Sequence, residues 1–532
     1  MKFKSILISM LAVAALASCS KEEAGTTTPD NPDMKGRKAY LSVSIKLPKV
    51  AGTYAGTPGS DHGTADERLI KKVLVVGFDA SNNKVGVYDL NAAEQGTIGS
   101  NGTTAVHGDA FQVSDELAKI FVVINPTSTL ATQITTATTY TAMNQAITES
   151  VDLMTDASSG GTGFMMTSAG VANGDLGLKA VTPSIAVSES AGDITAAKTA
   201  AEGSPAEVNV DRAMAKVTLS IGTTATPVVI ENGTIMNGAI AWALSATNKQ
   251  YYPYAELAAG YTGQGKYRED PNFVGSTMAD LDWVENSSLT INTIGSPLIT
   301  DWHLPAVTGD PRSFYALENT MEAATQTYGN TTKALIALRY TPTVTPAITP
   351  GDSWFRVNGV IKTLAQLDAD YTAAKAASPQ NTSLMAGYEA FLDAVLGTSR
   401  TIGWTDEAKG SVVAIADLDA IANGGYKAAK ATTHMIEYFQ KSVCFYSVDI
   451  NHDEDLPGFT LGRWGIVRNN SYTITVTKIS KPGLPYTPDP TDPDITDPEN
   501  PAPTDPSDEQ SAFISVSITV NPWTTWNQNV EL

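Results

Sequence analysis

"LSVSIKLP" (residues 41–48) and "ISVSITVNP" (residues 514–522) share the four residues Ser-Val-Ser-Ile near opposite ends of a 532-residue chain. In the first, Leu41, Val43, Ile45 and Leu47 alternate with Ser42, Ser44 and Lys46. In the second, Ile514, Val516, Ile518 and Val520 fall on one face. A period of two is the mark of a half-buried β-strand, and Pro48 stops the first one.

Beyond Pro48 runs the Gly/Thr/Ser-rich "KVAGTYAGTPGSDHGTADER", whose basic residues are Lys49 and Arg68 at its two ends. The nearly continuous apolar "LIKKVLVVGFD" follows, a pattern expected of a strand buried on both faces. Further short strands come next, separated by Gly, Asn, Asp and Pro: "VGVYDL", "KIFVVIN", "GFMMTS", "AEVNVDRAMAKVTLSIG" and "GTIMNGAIAWALS". That spacing predicts a mainly β chain built of β-sandwiches. The Ala/Thr-rich stretch 130–153 reads equally as helix or loop. Residues 360–397 form the best helical region, interrupted near Pro379.

The length exceeds what one core accommodates, so two folded domains plus tails are expected. Apolar residues are 42% and charged residues 17% of the chain, enough to build cores. A net charge of -21 would repel phosphates, which argues against a nucleic-acid partner. The N-terminus, "MKFKSILISMLAVAALASCSKEE", has a basic start and an apolar stretch too short to span a bilayer as a mature helix. Leu16-Ala17-Ser18-Cys19 resembles a bacterial lipobox, which makes Cys19 the lipidated first residue of the mature protein. Residues 1–19 then form the signal and 20–38 a tether. Acyl chains at ~0.8 kcal/mol per buried CH₂ would anchor the chain to a membrane.

Chemistry is sparse. His62, His107, His303, His434 and His452 form no pair at metal-ligand spacing. "GDSW" (351–354) lacks the setting of a hydrolase serine. "NHDED" (451–455) gathers oxygen ligands at a spacing unlike that of an EF-hand, and reads as a solvated acidic turn. Cys444, flanked by apolar residues, reads as a buried thiol rather than a nucleophile. No cofactor and no enzymatic activity are expected.

"KPGLPYTPDPTDPDITDPENPAPTDPSDEQ" is rich in Pro and Asp and has little to bury, so residues 483–510 read as an extended spacer. The chain then resumes with a strand, 511–532. A lone strand is unstable in water: its backbone needs a ladder and its side chains a groove. Its likeness to the first strand suggests exchange. Cleavage between Lys49 and Arg68 would free strand 39–48, and the terminal strand of a neighbour would enter the vacated groove. Four aliphatic side chains plus ladder hydrogen bonds amount to on the order of 10 kcal/mol before ordering costs. The other reading is that both strands coexist within one monomer.

"FVVINP", "FMMTS" and "VDRAMAKVTLSIG", with Arg212, Ala215 and Lys216, are similar to segments of the fimbrillin superfamily, specifically Mfa-type major subunits of type V pili. "SVCFYSVDINH" and "RWGIVRNNSYTITVTKISKPGLP" resemble its C-terminal signature, through Gly465, Val467, Arg468, Asn469, Tyr472 and Ile479. The resemblance implies a lipoprotein precursor at the outer membrane and two transthyretin-like β-sandwich domains. These would span 39–210 and 211–482, with helical insertions in the second, about 249–424. It also implies a processing protease, and identical, anchor and tip subunits as partners in an extracellular fimbrium. Leu41, Val43, Ile45 and Leu47 would be displaced, and Ile514, Val516, Ile518, Val520, Trp523 and Trp526 would replace them. The family's cut follows an Arg just after the first strand. Here Lys49 holds that place and the nearest Arg is Arg68. A surface glycan-binding lipoprotein is the alternative that the same anchor and sandwiches would serve.

Overall fold

The computed structural model describes residues 38–46, 66–91, 105–106, 109–156, 158, 161–170, 174–222, 227–263, 265–275, 280–283, 313–420, 436–487 and 514–522. The N-terminal half contains Ala39–Leu41 (β1), Val43–Lys46 (β2), Lys72–Phe78 (β3), Lys84–Asn91 (β4), Phe111–Val113 (β5), Lys119–Ile124 (β6) and Met166–Ser168 (β7). Helix Ala191–Gly203 (α1) and strand Ala206–Arg212 (β8) complete it. One sheet runs in the order β4-β3-β6-β7-β8-β2 and ends on the short strand Ala105–Val106. The other places β1 between Ser184–Ile185 and β5. The β3–β4 turn forms because the Asp79 carboxylate accepts the backbone N–H groups of Ser81 and Asn83. Asn82 there takes the left-handed conformation (φ 66°) that Asn tolerates. As the apolar run predicts, β3 is buried on both faces from Val73 to Phe78. The open stretch 130–153 is mostly short helices, Ser128–Thr136 and Tyr140–Met143, with Val151–Thr155 at its end.

At Ala213 the chain passes into the second half. There lie Met214–Ile221 (β9), Gly233–Ser245 (β10), Ser313–Leu317 (β11), Lys333–Pro342 (β12), Val443–Asp449 (β13), Asn470–Ile479 (β14) and Ile514–Pro522 (β15). β14 lies parallel to β9, which pairs antiparallel with β11. β10, β12 and β13 make an antiparallel sheet. Side chains of the two sheets meet in one core, among them Val217, Trp242, Ile336, Cys444, Tyr472 and Ile474. Residues 249–424 are therefore not wholly an insertion: β11 and β12 belong to the sheets that enclose this core. The added part is Leu364–Ala376 (α2) and Thr382–Leu396 (α3) with the small sheet of Trp354–Val357, Val360–Lys362 and Ile436–Phe439. It buries its own cluster, including Phe355, Leu367, Tyr388, Phe391 and Trp404. α2 starts at a capping box between Thr363 and Gln366, and the Asn381 side chain caps α3 two residues after Pro379.

The two halves meet at a buried polar junction. Asp211, near the end of β8, pairs with Arg268 at 2.7 Å and accepts from Asn469 Nδ2 at 2.9 Å. Arg212 N donates to Asn469 Oδ1. Next to it, Arg468 Nε lies 2.9 Å from Glu318, both side chains almost fully buried, and Arg468 Nη2 donates to Tyr252 O. The neighbouring His452 is enclosed too. The Tyr472 hydroxyl accepts from Val467 N and so can donate to His452 Nδ1 at 2.8 Å. That bond suits a neutral ring, and burial pushes the imidazole pKa down to about 4.

Two outcomes follow from this junction. Arg468→Met strands the Glu318 carboxylate and should cost about 3–5 kcal/mol in denaturant unfolding, whereas Arg468→Met with Glu318→Leu should recover most of the loss. His452 binds a proton more readily unfolded than folded, so its contribution is full above pH 6.5 and falls away as pH drops toward 4. Urea titrations at pH 7 and pH 4 should give His452→Gln an acid-side stability loss smaller than wild type by on the order of 3 kcal/mol.

Candidate functional site

Residues 39–46 contribute to both sheets of the N-terminal half. β2 runs parallel to β8, with Val43 opposite Ala206 and Ile45 opposite Val208, and antiparallel to Ala105–Val106 on its other side. β1 pairs with β5 and with Ser184–Ile185. One continuous segment thus crosses from one sheet to the other at Ser42 and carries ladder bonds on both flanks. Ala39, Leu41, Val43 and Ile45 lie in the main N-terminal core.

The opposite face is covered as well, which corrects the half-buried reading of this strand. Tyr40 packs with Ala197 and Ala201 of α1, and Lys198 Nζ sits 5.4 Å from its ring centre. Ser42 is 1% and Ser44 6% exposed. The serines between the aliphatic residues are therefore not a solvent face. They are small side chains where little room is left, and alternation alone could not separate these cases. Leu47 and Lys49 lie outside the described residues, as does Cys19.

The terminal segment has a different setting. β15 pairs antiparallel with β14 over its length, with Ile518 opposite Ile474 and Val516 opposite Val476. Ile518 is 7% exposed within the C-terminal core, and Val516 and Val520 pack against that core half-buried. Ser515 is exposed. β15 sits at the edge of its sheet, on the side of β14 opposite β9. The two Ser-Val-Ser-Ile segments thus lie in ladders of opposite sense: β2 is parallel to β8, β15 antiparallel to β14. Ile514 is placed in the strand, and Trp523 and Trp526 lie outside the described residues.

Arg68 closes the 3₁₀ turn Asp66–Arg68. Its neighbour Glu67 is 1% exposed and lies 3.2 Å from Lys216 Nζ of β9. Nothing in the sequence distinguishes this buried carboxylate from those around it.

The remaining polar motifs are structural. The Ser353 hydroxyl donates to Asp419 and accepts from Lys441 N. "NHDED" is split, with His452 and Asp453 turned inward and Glu454 and Asp455 exposed. Among the described residues no group of His, Cys, Asp and Glu could hold a metal ion. Cys444 is fully buried, and burial raises its thiol pKa far above the ordinary range, which disfavours the thiolate. No helix among the described residues is long and apolar enough to cross a membrane.

Residues 39–212 match the family described as "Major fimbrial subunit protein (FimA)". Residues 437–529 match "Major fimbrial subunit protein type IV, Fimbrillin, C-terminal". No curated protein matches the chain. Among solved structures, a putative cell adhesion protein from Parabacteroides distasonis is 15% identical, covering 92% of this chain and 100% of its own, with a TM-score of 0.41. A fimbrilin from Porphyromonas gingivalis is 13% identical, covering 92% and 99%, with a TM-score of 0.41. The tip fimbrial protein Mfa3 from the same organism, truncated at its C-terminus, is 11% identical, covering 91% and 100%, with a TM-score of 0.36. The two family matches cover the half that encloses the first strand and the segment that ends in the last. On that ground this chain belongs to the fimbrillin superfamily of fimbrial subunits, a structural and non-enzymatic family.

Proposed function

We propose that this protein is a building block of a cell-surface fimbria that supports adhesion. It is exported as a lipoprotein through Cys19, trimmed by a protease, and polymerised by strand exchange with identical, anchor and tip subunits. The observation that carries this reading is the contrast between the two Ser-Val-Ser-Ile segments. Residues 39–46 fill a position with ladder partners on both sides and cover on both faces. Residues 514–522 hold a sheet edge by one ladder, beyond a Pro/Asp-rich segment.

Removing residues 39–46 would expose ladder groups of β8, β5 and Ala105–Val106 together with the apolar floor beneath them, a state that invites any strand of fitting pattern. A neighbour's β15 fits with Val516 and Ile518 in the places of Val43 and Ile45. Ser515 and Ser517 then take the places of Ser42 and Ser44, where only small side chains pack. The donor gives up one antiparallel edge pairing and gains flanks on both sides, which gives exchange its direction.

This register makes Ser515 a discriminating position. It is exposed in the free subunit but would occupy the buried place of Ser42 in a polymer. Ser515→Trp should leave the melting temperature of the unprocessed subunit within about 1–2 °C, because surface changes act within about 0.5 kcal/mol. The same variant should abolish the high-mass, boiling-sensitive ladder on gels after processing; ladders of wild-type length would sink the register. Deleting residues 511–532 should leave a folded, lipidated monomer that forms no ladder, and fibres from that truncation would refute the donor assignment.

A further inference from the structure

Two basic residues flank the stretch in which processing would fall, and Arg68 is the second of them. The turn that holds it is fixed at both ends. Glu67, just before Arg68, accepts a hydrogen bond at Oε1 from the Tyr315 hydroxyl at 2.5 Å and faces Lys216 Nζ at 3.2 Å. Lys216 and Tyr315 are direct cross-strand partners on β9 and β11, so the second half of the molecule supplies a ready-made receptor for this carboxylate. The Glu67 carbonyl accepts from Arg212 Nε at 3.2 Å.

On the other side, Leu69 N donates to Asp66 O and closes the turn. The Leu69 carbonyl accepts from Asn125 Nδ2 at 2.7 Å, and Asn125 Oδ1 accepts from the N–H groups of Lys71 and Lys72. Ile70 is 8% exposed.

A protease binds its substrate as an extended strand, reading side chains on both sides of the cut through main-chain pairing. The Arg68–Leu69 bond cannot be offered that way while Glu67 and Ile70 are buried and the carbonyls of Glu67 and Leu69 are occupied. Cleavage there requires local opening that pulls the buried Glu67 carboxylate away from the half-buried Lys216 ammonium and Tyr315 hydroxyl.

We infer that Glu67 is a latch onto the C-terminal sheet that withholds the Arg68–Leu69 bond from Arg/Lys-specific proteolysis and retains residues 66–72 in the processed subunit. The inference rests on the reading that the subunit is proteolytically trimmed, and it places any cut made in the folded chain before Asp66. It also gives the latch a second task. Once residues 39–46 are gone, Glu67 keeps the entry to β3 tied across the junction, so the emptied half holds its shape for an incoming strand.

The test uses the full chain and trypsin, with products followed by N-terminal sequencing. The folded wild type should give no product beginning at Leu69, while the urea-unfolded chain gives one readily. Lys216→Met and Tyr315→Phe leave the sequence around Arg68 untouched and should each raise the Leu69 product at least tenfold. Cleavage after Lys333 and Arg339, in the buried strand β12, serves as the monitor of global unfolding and should not rise with it. A Leu69 product from folded wild type at the unfolded rate overturns the latch. So does a variant in which cleavage at Arg68 and in β12 rise together, or neither rises. Because the assay needs no polymer, a protected Arg68 in a subunit that never forms ladders would fault the assembly reading and leave the latch standing.

Discussion

A strand in the interior of a sheet must satisfy hydrogen bonds on two flanks and contacts on two faces, and residues 39–46 meet all four demands at once. The N-terminal half is organised around that condition. β8 and Ala105–Val106 flank β2, β5 and Ser184–Ile185 flank β1, the main core lies beneath, and α1 covers Tyr40. Leaving the position vacant would expose ladder groups and aliphatic floor together, at a cost in free energy.

The two halves repeat a theme. In each, an early strand lies parallel to a late one: β2 with β8, and β9 with β14. β15 then adds to the free side of β14, where its aliphatic face reaches the C-terminal core but its Ser515 side remains in water. An edge strand so placed has fewer ties than an interior one, and opening free energies scale with such ties. Between the halves, the Asp211–Arg268–Asn469 and Arg468–Glu318 groups form a junction of buried charges with matched partners. Separating either pair leaves a buried charge uncompensated, which disfavours misaligned docking of the halves.

Much of this was legible from residue pattern. A continuous apolar run marked β3 as doubly buried, and the period-two alternation marked β15 at its observed place. The helical reading of 360–397 corresponds to α2 and α3 with the break at Pro379. The signature around Arg468 and Asn469 was visible as a family resemblance, but its physical role at the junction was not. The placement of β11 and β12 in the C-terminal sheets escaped the reading because long stretches without recognisable pattern surround them. The cover over Ser42 and Ser44 escaped it because a serine facing water and a serine in a tight space look alike in one dimension.

By itself the sequence determined where strands form, which of their side chains seek an apolar neighbour, and that two segments at opposite ends share one pattern. Alternation, proline and charge act over a few residues, and their consequences are local. Tertiary structure alone decided that the first of these segments is enclosed on every side while the last rests at an edge, and that Glu67 reaches Lys216 and Tyr315 across the junction. Enclosure and ion pairing depend on what other parts of the chain bring near, and no short-range property of a residue encodes its distant neighbours.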